Sequence, residues 1–589
     1  MLLAALCLAQ SALAEAEQSR KSLLPPDAVT RLSLAGQAHL GRLAVEPATG
    51  APATQVARLE TTARTQNDWD VSATVSIPEP LAKGEVLLLT FHARAVKGQP
   101  ETSEARFAVD VQTNGPSYAK SVTRYFGVGS TWQRCETPLV VAHATPAGGS
   151  NVSFRLGFGA QIVEIAGLEL WRYPDGTKVQ DLPRSATRYA GDEPNATWRA
   201  EADKRIEQLR KGDAMIRVAG ADGKPIAGAK VEFQMKRHAF GFGSAVDAGT
   251  LFLEGPDGDR YRKTVLENYG LATIENHLKW PYWEDWGRKD GLRALDWLRE
   301  KGILVRGHTL IWPGWKEMPK DMPSLENDPA ALRKRVQTHF EDILGVTRGK
   351  IVEWDVMNEP YAQNDMMRIL GWSEMSEWFR MAKRLEPNAR LAVNDYPLPD
   401  SLGGGSAHLN HYAGVVERLI AEKAPVEAIG FQGHFGDNVV PPERLLGGLD
   451  RFAKYGLPIV ITEFDINTKD EDLQARYMRD FLTACFSHPS VDTLVIWGFW
   501  EGRHWFPDAG LYRRDWSLRP QGQVWLDLVK KRWWTNAALT SDSRGESRVS
   551  GFYGDYEVAV TAPGFKPARM SVGHTKAAPL NRTVALERA

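Results

Sequence analysis

The chain has 589 residues, of which 43% are hydrophobic and 25% are charged; at roughly 150 residues per domain, it should form about three to four domains. The 72 basic residues nearly balance the 73 acidic ones and the formal net charge is -1, which excludes a global field that would attract nucleic acid or anionic lipid. The three cysteines, Cys7, Cys135 and Cys485, are too few for a disulfide framework or a structural zinc site.

The chain begins with a short apolar segment, residues 1–14. It ends in Ala12-Leu13-Ala14, a small-residue pattern typical of a signal-peptide cleavage site. Because the usual basic start is missing, we interpret the segment as a signal-peptide remnant, with an ordinary chain terminus as the alternative. No other stretch approaches the roughly 18 apolar residues of a membrane span. We therefore expect a secreted or periplasmic protein with no membrane partner.

Residues 25–175 are predicted to form an antiparallel β-sandwich. Short segments of alternating apolar and polar residues, such as 69–77 and 86–94, are separated by Gly, Pro and other turn residues, which is typical of that fold. Residues 176–212 are predicted to be a linker followed by a helix, because apolar residues recur at helical spacing in its second half.

Two further strand-rich segments flank a long central region. Within residues 213–237, the segments 215–218 and 229–233 are separated by turn residues, which predicts a hairpin. Residues 537–589 resemble the later half of small sandwich domains whose first half has the pattern of residues 213–237. We therefore predict one small β-sandwich that is split by the central region.

The central region, residues 238–536, alternates short apolar strands with amphipathic helices. This pattern, over about 250 residues or more, predicts a (β/α)8 TIM barrel. Eight strands are predicted, at residues 240–245, 271–274, 304–308, 351–357, 391–394, 428–432, 459–462 and 494–497. Polar and aromatic residues follow these strands, at the end of the barrel where active sites lie.

Two glutamates follow strands that are expected on opposite sides of the barrel. Glu359 follows the fourth predicted strand and Glu463 follows the seventh. Cleavage of a glycosidic bond needs one acid to protonate the leaving oxygen and one carboxylate to attack or to activate water. Either glutamate alone would more often be a surface or ion-paired residue. The pair favours a glycosidase because other polar residues lie near in sequence: Asn358, Gln432, His434 and Asp465.

The motifs of residues 238–536 resemble those of the glycoside hydrolase family 10 xylanases. The matching motifs, in the family's order, are Glu275-Asn276, Lys279-Trp280, Arg306-Gly-His-Thr-Leu-Ile-Trp312, Trp354-Asp-Val-Met-Asn-Glu359, Asn394-Asp-Tyr396, Gly430-Phe-Gln-Gly-His434, Thr462-Glu-Phe-Asp465, and Trp497-Gly-Phe-Trp500 with Trp505. The resemblance implies a secreted endo-1,4-β-xylanase that uses no cofactor and acts on xylan or xylo-oligosaccharides.

The resemblance also implies roles for single residues. Glu359 would be the general acid/base and Glu463 the nucleophile of a retaining double displacement, and the ionised Glu463 should raise the pKa of Glu359. His434 and Asp465 would support the nucleophile. No metal site is expected. The expected substrate-binding residues are Glu275, Asn276, Lys279, His308, Trp312, Asn358, Gln432, His434, Trp497 and Trp505.

Three positions depart from the family's pattern: Pro313, Glu501 and His504 stand where His, Asp and Ser are usual. We expect these residues to line or approach the substrate, and so to affect specificity and product size.

Two alternative functions remain open. One is a related retaining β-1,4-glycanase acting on glucan or mannan, against which Glu275-Asn276, Lys279 and His308 favour xylan. The other is a non-catalytic carbohydrate-binding protein on a degenerate barrel, against which the presence of both glutamates argues.

The N-terminal sandwich, residues 25–175, resembles carbohydrate-binding modules. Its candidate sugar platforms are Trp69, Tyr118, Tyr125 and Trp132, although aromatic residues of a sandwich belong more often to its core. The expected partner is an insoluble plant polysaccharide, and no nucleic acid is expected to bind.

Overall fold

The computed structural model describes residues 16–48, 50–98, 104–185, 187–398, 407–436 and 439–589. The predicted signal-peptide remnant, residues 1–14, lies outside these described residues. Within them, no helix combines the length and apolar character needed to cross a membrane. The chain divides into two compact units, Met1–Asp192 and Glu193–Ala589.

The first unit contains two antiparallel sheets, which form the predicted β-sandwich. One sheet has the strand order β3-β4-β11-β6-β9, with β1 paired to β11, and the other has the order β2-β5-β10-β7-β8. The strands are β1 (Lys21–Ser22), β2 (Ser33–Gly36), β3 (Gly41–Pro47), β4 (Gln55–Thr61), β5 (Val71–Ile77), β6 (Val86–Lys97), β7 (Ala105–Thr113), β8 (Lys120–Val128), β9 (Gln133–Val140), β10 (Ser150–Arg155) and β11 (Gln161–Arg172).

The core of this sandwich lies between the two sheets, because alternate residues of each strand face the opposite sheet. Four phenylalanine rings contact one another there, with centroid distances from 5.2 to 6.1 Å: Phe91, Phe107, Phe126 and Phe154. The candidate platforms lie outside this core cluster. Trp69 and Tyr118 are exposed, and Tyr125 and Trp132 are half-buried.

The second unit begins with the helix Thr197–Arg210, which leads directly into β12 (Lys211–Gly220) and β13 (Lys230–His238). The barrel follows, and the chain then returns to the small sandwich. The returning strands are β23 (Asn536–Thr540), β24 (Glu546–Phe552), β25 (Gly554–Thr561), β26 (Ala568–His574) and β27 (Asn581–Leu586). They complete two sheets with the orders β24-β12-β27 and β23-β13-β25-β26.

The predicted hairpin between β12 and β13 was wrong. The two strands belong to different sheets: β12 pairs with β24 and β27, and β13 pairs with β23 and β25. Each strand has one apolar face, with Ile216 and Val218 buried on β12 and Val231 and Phe233 buried on β13. Facing sheets bury both apolar faces against each other, so the turn between the strands crosses from one sheet to the other.

The barrel consists of parallel strands between β13 and β23. They are β14 (Gly241–Val246), β15 (Leu271–Ile274), β16 (Leu304–Ile311), β17 (Glu353–Asn358), β18 (Arg390–Asp395), β19 (Ala428–Phe431), the two-residue β20 (His434–Phe435), β21 (Ile459–Ile466) and β22 (Val491–Ile496). Pairing of β14 with β22 and of β19 with β21 closes the sheet into a barrel. Every residue of β17 and β21 is buried, as expected for parallel strands that are covered on both faces.

Helices follow the strands, and the longer ones cover the outside of the barrel. Their bounds are Ala248–Leu251, Pro256–Asn268, Trp280–Tyr282, Arg288–Glu300, Pro329–Thr347, Asp365–Leu370, Glu374–Leu385, Ala407–Ala421, Pro442–Ala453, Glu471–Ser487 and Pro520–Asp527. Strand β21 is longer than the predicted 459–462: it runs to Ile466 because it also pairs with β20, with His434 opposite Asp465. Glu463 therefore lies within a strand rather than after one.

Candidate active site

A cleft of about 780 Å³ lies at the carboxyl ends of the barrel strands. Most of the predicted site residues line it together: Glu275, Asn276, Lys279, His308, Trp312, Glu359, Gln432, His434, Glu463, Trp497 and Trp505. Asn358 and Asp465 are not among the lining residues, and both are buried. The fold thus brings side chains from seven of these strands, or from the loops that follow them, into one site.

Glu359 is the first residue after β17 and has a φ of 52°. This left-handed conformation costs a non-glycine residue about 1–2 kcal/mol, so the neighbouring structure must hold it. The Glu359 N–H donates to the carbonyl of Asn394 at 2.9 Å, and the Glu359 carbonyl accepts from the N–H of Gln363 at 2.9 Å. These two bonds fix the turn that presents the Glu359 side chain to the cleft.

The Glu359 carboxyl is held in an environment that favours its protonated form. Burial raises the pKa of Glu359 to about 7, a hydrogen bond from Gln432 opposes that rise, and the negative charges of Glu463 and Asp395 add to it. Gln432 Nε2 donates to Glu359 Oε1 at 2.8 Å. Glu463 therefore acts in the expected direction, but burial is the larger cause.

Glu463 is also buried, with 4% of its surface exposed, but it is surrounded by donors. Asn394 Nδ2 donates to Oε1 at 2.9 Å, and His434 Nε2 lies 3.1 Å from Oε2. Burial alone would raise the pKa of Glu463, but His308, His434 and Lys279 outweigh it and lower that pKa to about 2. The carboxylate is therefore ionised near neutral pH.

His434 bridges Glu463 and Asp465. Its Nδ1 lies 3.0 Å from Asp465 Oδ1, and Asp465 Oδ2 accepts a hydrogen bond from Trp505 Nε1 at 2.7 Å. Burial alone would lower the pKa of His434, but Asp465 and Glu463 raise it to about 10. As an imidazolium, His434 is positively charged and its Nε2 donates to Glu463, so it orients Glu463 and stabilises its negative charge.

A second buried network reaches Glu463 from the barrel interior. Arg306 Nη2 donates to Asp355 Oδ1 at 2.7 Å, and Asp355 Oδ2 lies 3.0 Å from His308 Nδ1. His308 Nδ1 is 3.9 Å from Glu463 Oε1. The position of His308 beside the nucleophile candidate is thus fixed by a charge pair on two neighbouring strands.

Asn394, on β18, is a site residue that the sequence analysis did not select. Its Nδ2 donates to Glu463 Oε1 and to Asn358 Oδ1, both at 2.9 Å, and its Oδ1 accepts from Thr462 Oγ1 at 2.7 Å. The signal for it was present, because Asn394 opens the motif Asn394-Asp-Tyr396 at the end of the fifth barrel strand.

Asn358 is fully buried, and its Oδ1 is occupied by Asn394. Its buried Nδ2 has no hydrogen-bond partner among the described residues. Its expected role as a substrate-binding residue stays a prediction.

One side of the cleft carries the predicted charged and amide residues. Lys279 Nζ donates to Asn276 Oδ1 at 2.9 Å and lies 5.5 Å from the ring centroid of Trp312. Burial lowers the pKa of Lys279, although the acidic neighbours Glu463 and Glu275 oppose this shift. Burial also raises the pKa of Glu275. The side therefore offers several hydrogen-bonding groups in a partly desolvated space.

The tryptophans differ in their access to the cleft. Trp505 is 49% exposed, whereas Trp497 is 6% exposed and packs edge-on against His308.

The cleft also extends past the predicted residues, and the additional lining residues include Tyr282, Glu284, Asp285, Lys316, Glu317 and Lys320. These residues belong to loops and short helices after β15 and β16. The sequence analysis selected polar and aromatic residues near the ends of predicted strands, so it did not identify them.

Pro313, Glu501 and His504, the three departures, were expected to line or approach the substrate, but none is among the residues that line the cleft. Pro313 accepts the Met366 N–H at 3.1 Å through its carbonyl. Glu501 Oε2 accepts from Arg519 Nη2 at 2.7 Å, and His504 Nδ1 accepts the Phe506 N–H at 3.1 Å. Each residue accepts a hydrogen bond from a nearby backbone or side-chain group.

Within the described residues, no group of three or more His, Cys, Asp or Glu side chains is placed to hold a metal ion. The chemistry that the cleft itself offers is proton transfer from Glu359 and nucleophilic attack or charge stabilisation by Glu463.

Comparison with known proteins finds a family model that matches the region around this cleft. A model described as "Glycosyl hydrolase family 10" matches residues 232–521. The chain is 33% identical over 372 residues to "Anti-sigma-I factor RsgI6" of Acetivibrio thermocellus, and the match covers 62% of this chain and 47% of that protein. It is 28% identical over 362 residues to "Endo-1,4-beta-xylanase 1" of Arabidopsis thaliana, covering 61% of this chain and 37% of that protein. The chain thus spans less than half the length of these two relatives.

Among solved structures, the chain is similar to xylanase 10B from Thermotoga petrophila RKU-1 in complex with xylobiose. The TM-score is 0.46 and the sequence identity is 24%, and the match covers 50% of this chain and 95% of that chain.

Proposed function

Residues 232–521 belong to glycosyl hydrolase family 10, and from that premise we propose that the protein is a retaining endo-1,4-β-xylanase. One observation carries the proposal: a single cleft holds a glutamate whose pKa is raised to about 7 and another whose pKa is lowered to about 2. Near neutral pH, the first still carries a proton in a substantial fraction of molecules and the second is ionised. This is the pairing of acid and nucleophile that glycoside cleavage requires.

In the first step, Glu463 attacks the anomeric carbon while Glu359 donates its proton to the oxygen of the leaving sugar. The carbon–oxygen bond to the leaving sugar breaks, and an ester between the sugar and Glu463 forms. His434 and Asn394 hold the Glu463 carboxylate through 3.1 and 2.9 Å contacts, so little reorientation is needed before attack.

In the second step, Glu359 acts as a base. Esterification removes the negative charge of Glu463, which contributes to the raised pKa of Glu359, so that pKa falls. Glu359 can then accept a proton from water as the water attacks the anomeric carbon. The ester bond breaks, Glu463 regains its charge, and the sugar is released with its original anomeric configuration.

The proposed substrate is xylan or a xylo-oligosaccharide. Glu275, Asn276, Lys279 and His308 line one side of the cleft and match the family's motif positions, which supports xylan over glucan or mannan. Curated relatives named as endo-1,4-beta-xylanases give further support.

The proposal is tested by hydrolysis of xylan, soluble cellulose and mannan, with the anomers of the first products followed by NMR. We expect xylan to be the preferred substrate and β-anomers to appear first. Initial α-anomers would contradict retention. Preference for cellulose or mannan would favour the related glycanase, and no hydrolysis at all would favour a non-catalytic binding protein.

We further propose that the N-terminal sandwich binds insoluble plant polysaccharide through the face of its β2-β5-β10-β7-β8 sheet. That face carries a polar group in which Asp110 Oδ2 lies 2.9 Å from Lys120 Nζ and 3.3 Å from Arg155 Nε. Arg155 Nη1 also lies 3.0 Å from Asp68 Oδ1, next to Trp69, which is 57% exposed. The ion-paired side chains of Asp110 and Arg155 are themselves buried and support this face, so the exposed indole of Trp69 is the group that a sugar ring would contact.

Trp69→Ala should reduce retention of the protein on insoluble xylan, because the exposed ring would be lost. Trp69→Phe, which keeps an aromatic face, should retain most of the binding. Equal pull-down of the wild type and Trp69→Ala would count against the proposed surface.

A further inference from the structure

Tyr361 follows Glu359 by two residues in the chain, at the carboxyl end of the barrel, and lies outside the set of residues that line the 780 Å³ cleft. Its side chain is 38% exposed. The ring of Tyr361 stacks on that of His408, with 4.1 Å between centroids and 14° between planes. One face of the tyrosine ring is therefore covered, and the opposite face is available for contact.

The support beneath Tyr361 is rigid. His408 is 3% exposed and its Nε2 lies 3.0 Å from Oδ1 of Asp395, which is fully buried at the end of β18. The ring of His411 packs edge-on against that of Tyr361, with 5.3 Å between the ring centroids. Trp372 packs in turn against His411 at 5.2 Å.

The backbone of Tyr361 is also fixed. The N–H of Gln363 donates to the carbonyl of Glu359 at 2.9 Å, and Asn364 Nδ2 donates to the carbonyl of Tyr361 at 2.9 Å. The ring is thus ordered before any ligand arrives, so contact with it loses little conformational entropy.

The order of the barrel strands tells which part of a substrate would meet this ring. Tyr361 follows β17 and its support His408 follows β18, whereas Glu275 and His308 belong to the ends of β15 and β16. Because its ring stacks on that of His408, Tyr361 lies on the β18 side of Glu359, whereas Glu275 and His308 lie on the β15 and β16 side. His308 lies 3.9 Å from Glu463, the nucleophile candidate, so its side of Glu359 holds the sugar that Glu463 attacks. The sugars on the opposite side of Glu359 are those that leave when Glu359 protonates the glycosidic oxygen.

We propose that Tyr361 is a stacking platform for a sugar of the leaving part of the substrate chain. This inference rests on the proposed function, because it assumes that Glu359 is the proton donor. The apolar C–H face of a pyranose would lie on the open face of the ring, while the sugar hydroxyls stay in water. Tyr361 would then increase the rate for substrates that carry a leaving sugar and would not contribute where none is present.

The test compares wild type, Tyr361→Ala and Tyr361→Phe on two substrates, xylohexaose and β-xylobiosyl fluoride. The fluoride leaves as an ion and carries no leaving sugar. We expect Tyr361→Ala to lower the ratio of kcat/KM for xylohexaose to kcat/KM for the fluoride by about three- to tenfold, the size of one aromatic contact. Tyr361→Phe keeps the ring and should leave this ratio within about twofold of wild type.

An unchanged ratio in Tyr361→Ala would overturn the platform, and so would an equal loss in both variants. A wild type that cleaves neither substrate would instead contradict the proposed function. In that case, titration calorimetry with xylohexaose still decides the platform: a drop in affinity of about three- to tenfold in Tyr361→Ala, but not in Tyr361→Phe, supports it, and equal affinities refute it.

Discussion

The two walls of the cleft present the same residue type in opposite surroundings. On the β17 wall, Glu359 accepts one side-chain hydrogen bond, from the neutral amide of Gln432. On the β21 wall, Glu463 contacts His434 and Asn394 and lies near His308. Burial acts on both pKa values in the same direction. The positive and donor groups around Glu463 make the difference, so neighbours rather than burial decide which glutamate keeps its proton.

Replacing Glu463 by Gln should have the largest effect. The amide is a poor nucleophile and cannot form the sugar ester, so kcat on xylan should fall by more than about 10⁴-fold. Steady-state hydrolysis measures this loss. Glu443→Gln, at an exposed position on the helix Pro442–Ala453, is the matched control and should retain wild-type activity. Residual activity above about one hundredth of wild type would contradict the role of Glu463.

Replacing Glu359 by Gln should have the next largest effect, a loss in kcat/KM on xylan of about 10² to 10⁴-fold, because general acid catalysis is removed. The loss in kcat/KM should be much smaller on β-xylobiosyl fluoride, whose leaving group needs little protonation. Parallel rate measurements on the two substrates make the comparison. Equal losses would mean that Glu359 is not the proton donor.

Removing the charge of His434 should make the β21 wall more like the β17 wall. In His434→Gln, Glu463 loses a positive partner, so the pKa of Glu463 should rise from about 2. Since the ionised form is needed for attack, the acidic limb of the kcat/KM profile should move to higher pH. We also expect a loss of about 10- to 100-fold in kcat/KM at neutral pH. An unmoved acidic limb would contradict the proposed support.

The smallest expected effect is at Gln432. Activity should decline as pH rises through about 7, because Glu359 then loses the proton that it must donate. The hydrogen bond from Gln432 lowers the pKa of Glu359, so Gln432→Ala should move this basic limb to higher pH by up to about one unit. A shift to lower pH would show that the amide stabilises the protonated form instead.

The sequence was informative where a feature depends on residues that are close together in the chain. Apolar runs that end in Glu, His or Trp indicated the barrel strands, and Glu359 and Glu463 were identified from their positions after two of them. The cause of the raised pKa of Glu359 was less accessible, because burial depends on every element that covers the side chain and not on the distance to Glu463 alone.

Features that depend on two distant segments were beyond the sequence pattern. The pairing of β12 and β13 in different sheets depends on strands more than 300 residues away in the chain, as the register of Lys211 with Phe552 shows. The stack of Tyr361 on His408 depends on the rotational phase of the helix Ala407–Ala421, which decides the direction in which the His408 side chain points. Neither spacing nor composition specifies such a phase.

The split sandwich has a consequence for how the barrel is held in the chain. Strands β13 and β23, which lead into and out of the barrel, lie side by side, with Gln234 opposite Asn536. The two ends of the barrel segment therefore lie next to each other, and joining them would require no long linker. The barrel segment is in effect an insertion between two neighbouring strands of the small sandwich. A different domain whose two ends lie equally close together could be inserted at the same place.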